Sequence, residues 1–182
     1  MEDEVRGAPP HVAAEFYLWL WYRSEQGEGE LEMGDEGGDV SYWVDDRIAF
    51  RPAGEEKVTA VLTGENPSTT PEARAALAGG KVLRELKLAL RRGEREYQVT
   101  LKGSRVELGA AKLPGQLKSG DIAEIVYERA FLYEELHYIM AKLFTAFAQE
   151  RCSEAWHTSV LPGLRAWAQR RPDDAYVGGE AG

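Results

Sequence analysis

A chain of 182 residues, 43% apolar and 10% aromatic, has the composition of a folded domain of ordinary size and lies outside the disordered class. Its single cysteine, Cys152, excludes an intramolecular disulfide and fits a reducing, cytoplasmic setting. No run approaches ~18 consecutive apolar residues, so no membrane span is expected; the opening MEDEVRGAPP is acidic where a signal peptide is basic, and the net charge of −9 weighs against nucleic acid at first sight.

The expected layout is one α+β domain over residues 11–170, with flexible tails at 1–10 and 172–182. The run HVAAEFYLWLWYRS from His11 to Ser24 has no Gly or Pro and few charges, which predicts a buried helix; Trp19 and Trp21 fall on different faces, so it must be covered on more than one side. The acidic, Gly-rich residues 26–39 read as a loop. VSYWV, RIAF and KVTAVLT carry strand composition, with Asp45-Asp46 as a hairpin turn between the first two and PAGEE as a turn before the third. Thr70 as N-cap, Pro71 at the first helical position and Glu72 in the first turn predict a short helix stopped by Gly79-Gly80.

From Val82 the period becomes two. Leu86, Leu88 and Leu90 alternate with Glu85, Lys87 and Arg91; a turn at Arg92-Gly93 leads to Tyr97, Val99 and Leu101, and a second at residues 102–104 leads to Val106 and Leu108. This predicts an antiparallel β-meander with one greasy and one polar face. Ser119 or Asp121 then caps a long C-terminal helix in which Ile122, Ile125, Val126, Leu132, Leu136, Ile139, Met140, Leu143, Phe144 and Phe147 recur at three and four, an apolar stripe fit to cover the sheet. Ser153 is a cap for a last helix that Pro162-Gly163 kinks or divides.

Charge is uneven along this layout. Residues 1–56 hold fifteen Asp/Glu and four Lys/Arg, whereas residues 81–118 hold ten Lys/Arg against Glu85, Glu94, Glu96 and Glu107. A local basic surface can attract phosphate even on an acidic protein, because charges more than ~8 Å away are screened at physiological salt. The candidate phosphate ligands on the meander are Lys81, Lys87, Arg91, Arg92, Lys102 and Arg105.

Catalytic signatures are missing from the sequence. It contains neither G-x-S-x-G nor a phosphate loop. Cys152 and His157 are five apart, which does not stack on a helix, and one cysteine with His11, His137 and His157 scattered gives no zinc spacing. No catalytic residue, metal or cofactor is therefore expected. The one pattern with chemical content is Glu85-Leu86-Lys87, an E-x-K of the kind that holds Mg²⁺ and polarises water in metal-dependent nucleases, with Asp45 or Asp46 as the further acid.

The segment TTPEARAALAGGKVLRELKLALRRGEREYQVTLKGSRVELGAAKLP, with EFYLWLWYRSE upstream and a long helix downstream, resembles the later part of the recombination-associated protein RdgC family. That resemblance implies a non-enzymatic double-stranded DNA-binding protein that forms a ring-shaped dimer and restrains recombinase loading; residues 26–39 read as an insertion relative to it. Two readings lead: an RdgC-like DNA-binding or recombination-associated accessory protein, partnered by duplex DNA, by its own copy or by a recombination protein, and a protein–protein interaction module on the same scaffold without DNA. A Mg²⁺-dependent nuclease using Glu85 and Lys87 is the lesser alternative.

Overall fold

The computed structural model describes residues 12–52, 59–115 and 121–170. The expected tails, the PAGEE turn from its second residue on, and Ser119 lie outside them. The chain folds as α+β: helix α1 (Val12–Glu25), strands β1 (Glu30–Leu31), β2 (Val40–Arg51) and β3 (Ala60–Thr63), helix α2 (Pro71–Ala78), strands β4 (Val82–Arg92), β5 (Arg95–Lys102) and β6 (Glu107–Lys112), helix α3 (Ile122–Arg151) and helix α4 (Leu161–Gln169). The sheet is antiparallel in the order β1-β2-β4-β5-β6, with β3 sharing the outer edge of β2.

Local chemistry explains most element ends. α1 stops where Gly27 takes a left-handed conformation (φ 76°), which a residue with a Cβ adopts only under strain. Thr70 caps α2 as expected, its Oγ1 accepting from the Ala73 N–H at 3.2 Å. Asp121 caps α3, its Oδ1 accepting from the Ala123 N–H at 2.8 Å. The chain after α3 does not break at Pro162. Residues 156–160 widen into one π-helical turn, with the Leu161 N–H reaching back to the Trp156 carbonyl, and this turn leads directly into α4, in whose first turn Pro162 sits.

Two expected turns are corrected. Asp45-Asp46 is not a hairpin turn. β2 runs through it, and between the pairs Val44–Leu88 and Ile48–Leu86 three residues of β2 face one of β4, a bulge of two extra residues that keeps Val44 and Ile48 both on the core side. The β4–β5 turn is Gly93-Glu94 rather than Arg92-Gly93, because Arg92 and Arg95 still pair as the last rung and Gly93 supplies the positive φ of 58°.

The sheet's greasy face, from Val44, Ile48, Phe50, Leu86, Leu88, Leu90, Tyr97, Val99 and Leu101, is buried beneath the helices. α1 is covered on several sides, as its two tryptophans require. Phe16 and Trp19 meet Phe147 of α3 at ring distances of 5.3 and 5.7 Å, while Trp21 meets Trp167 of α4 edge-on at 5.2 Å. Trp19 donates to Glu150 and Trp21 to Glu25, so neither indole N–H is stranded. No helix among the described residues is long and apolar enough to cross a membrane.

Candidate interaction surfaces

The polar face of the sheet is the first candidate, since it was to carry the cationic field. The register sets Arg91 beside Glu96, Lys102 beside Glu85 and Glu107, and Lys87 opposite the β2 bulge. Lys87 Nζ lies 2.9 Å from Asp46 Oδ1 and 3.2 Å from Asp45 Oδ2. Its pKa is held above the usual lysine value chiefly by the bond to Asp46, against an opposing desolvation. Arg91 lies 3.3 Å from Glu96 and stacks over the Trp43 ring at 5.3 Å. Arg47 pairs with Glu85. Cations and carboxylates thus alternate across this face, and a phosphate approaching Lys87 or Arg91 meets a carboxylate beside each.

Arg92 is not on that face at all. Strand periodicity puts it with Leu86, Leu88 and Leu90, and it is 5% exposed. Its guanidinium is consumed by three acceptors: Asp35 of the acidic loop, the Gly38 carbonyl at 3.1 Å and Glu135 of α3 at 3.1 Å. Glu135, itself 7% exposed, also takes Arg95 at 3.0 Å and the Tyr97 hydroxyl. Burial first, then this carboxylate, push the Tyr97 phenol well above its usual pKa. The acidic segment is therefore tied to the sheet's end through Arg92. Glycine at position 37 is part of the same arrangement, because a Cβ there would overlap the Arg92 guanidinium.

The other three expected cations differ. Lys81 is half-buried just before β4, Lys102 is exposed at the end of β5, and Arg105 is exposed in the following turn. All three sit at one end of the sheet, and none forms an ion pair with a carboxylate among the described residues.

Glu85 and Lys87 share the polar face as the E-x-K pattern requires, but each is already engaged: Glu85 by Arg47, Lys87 by Asp45 and Asp46. No three His, Cys, Asp or Glu among the described residues are grouped to hold a metal ion. A cleft of about 660 Å³ opens beside the bulge between Trp43, Asp46, Thr63 and Asn66. Cys152 is the exposed C-cap of α3.

The second candidate surface was not foreseen. α3 buries Leu132, Leu136, Ile139, Met140, Leu143 and Phe147 toward the sheet and α1. Val126 and Phe144, expected on that same stripe, are instead exposed at 59 and 38%, because the 3.6-residue turn places them to one side of it; Ile122 shares the direction of Met140, five turns on, and is exposed at 77% because it precedes Leu132, the first buried position of the helix. Across the outward half of the helix Tyr127, Phe131, Tyr133 and Tyr138 are exposed too, at 77, 55, 45 and 42%. Ala123, Ala130 and Ala141 lie exposed between these large side chains, and Glu134 and His137 are the titratable groups nearest that central line. The sequence held the signal: α3 is apolar on two faces, and one sheet can cover only one.

Searched against family models, curated proteins and solved structures, the chain matches none.

Proposed function

We propose that this chain is a non-enzymatic, cytoplasmic interaction module whose working surface is the outward face of α3, along which another polypeptide docks. One observation carries the reading: six large apolar side chains, from Val126 to Phe144, lie exposed on a single helix whose opposite face is already buried. Monomeric proteins rarely leave contiguous apolar patches beyond a few hundred Å² uncovered, and larger ones mark interfaces. A photo-crosslinking residue at position 131, in the intact chain in its own cell, is expected to give covalent polypeptide adducts that the same probe at Glu36, in the exposed acidic loop, does not. Equal labelling at both positions rejects the reading.

A second reading, an RdgC-like DNA-binding or recombination-associated accessory protein, draws support from Lys81, Lys102 and Arg105, which share one end of the sheet and form no ion pair among the described residues, although Lys102 has Glu85 and Glu107 as its cross-strand neighbours. Phosphate contacts of this kind act through counterion release and carry no base readout. Lys102→Glu with Arg105→Glu is expected to abolish a salt-sensitive shift of duplex DNA, whereas Lys87→Glu with Arg91→Glu leaves most of it. No shift by the wild-type chain at ~50 mM salt, where nonspecific binding is near its strongest, rejects this reading.

A further inference from the structure

We infer that the occupant of the α3 face is a second copy of this chain, packed with its own α3 antiparallel to the first; the inference rests on the docking role proposed above and names its partner.

The face has the form such a pair needs. Its centre is a shallow trough of Ala123, Ala130 and Ala141, small enough for two helix axes to approach to about 8–10 Å. Large apolar side chains rise on both sides, Tyr127, Phe131 and Tyr138 along one and Val126, Tyr133 and Phe144 along the other. A two-fold axis perpendicular to the helix makes a contact isologous, so each ridge meets its own counterpart reversed.

One register satisfies the centre. When residues whose numbers add to 271 lie at the same height, Ala130 faces Ala141 of the other copy. Glu134 then comes level with His137, once on each side of the axis, so each carboxylate meets an imidazole, which can donate to it, rather than a second carboxylate.

Area agrees. At roughly 200 Å² per large side chain, the exposed fractions of these six leave on the order of 600 Å² open, the lower end of what each partner contributes to a specific interface.

Sedimentation equilibrium of the full chain between about 1 and 200 µM is expected to show monomers passing to dimers. Tyr127→Glu with Phe131→Glu should hold it monomeric while the far-UV spectrum is unchanged. The register is read separately, on a Cys152→Ser background. A mixture of Ala130→Cys and Ala141→Cys chains should yield a disulfide heterodimer, and Ala130→Cys alone should not, because its two copies would stand about 16 Å apart along the axis. Monomers throughout, a dimer indifferent to the Tyr127/Phe131 pair, or Ala130→Cys self-linking each overturn the inference. A monomeric chain that still crosslinks another polypeptide from position 131 removes the second copy and leaves the docking role standing.

Discussion

Replacing Glu135 by leucine tests how the acidic loop, the sheet and α3 are held together. The carboxylate accepts from Arg92, Arg95 and Tyr97, and both Arg92 and Glu135 have side chains only 6% exposed. Removing one member of a buried pair usually costs about 3–5 kcal/mol, because the surviving charge stays out of water. Arg92 keeps Asp35 and the Gly38 carbonyl, which sets its share near 3 kcal/mol. The Tyr97 hydroxyl, left without its acceptor, adds about 1 kcal/mol. Arg95 is 38% exposed and contributes little. A total of about 4 kcal/mol corresponds to a fall in Tm of roughly 8–16 °C for a chain of this length. Urea and thermal melts read it directly. Arg92→Met combined with Glu135→Leu should recover more than half the loss, since apolar groups of similar volume often replace a buried ion pair at no net cost. A single-variant loss below about 1 kcal/mol, or a double variant as weak as the sum of the singles, refutes the reasoning.

Gly37→Ala should strike the same network from the loop side: overpacking against Arg92 costs about 1–3 kcal/mol, and in denaturant melts the effect should not add to that of Glu135→Leu. Tyr42 is buried, and burial pushes its phenol from the ordinary 10.0 up to about 12, the Arg23 guanidinium pulling weakly the other way. The unfolded chain releases that proton first, so its share of stability is intact below pH 10 and declines until the folded phenol ionises at about 12. Tyr42→Phe should therefore leave stability at pH 7 nearly unchanged and shallow the alkaline loss in melts taken across that window. Thr70→Ala should cost about 1 kcal/mol by removing the α2 cap, with Thr70→Ser restoring it; an unchanged melt of the alanine variant would show the cap to be idle.

How much was legible follows the range of the forces involved. Thr70, Pro71 and Gly79 act within one or two turns of themselves, so the start and stop of α2 could be read from composition alone. The period of two in residues 86–101 named the strands and their greasy face, and by the same arithmetic it already placed Arg92 among the leucines. A turn at Arg92-Gly93 falls one residue early, and Arg92 reads as a surface cation because arginine is mostly exposed in folded proteins.

What only tertiary structure decided is which charges stay free. Counting Lys and Arg along residues 81–118 predicted a field, but a field depends on neighbours brought from elsewhere: Asp45 and Asp46 through the bulge, Asp35 through the loop, Glu135 from a helix more than forty residues on. The outward face of α3 divides the same way. Its apolar content was written in the chain, and the helix itself followed from local spacing. That one face would be consumed by the sheet and the other left open depended on where the body ends beneath a thirty-residue helix, which no local pattern encodes.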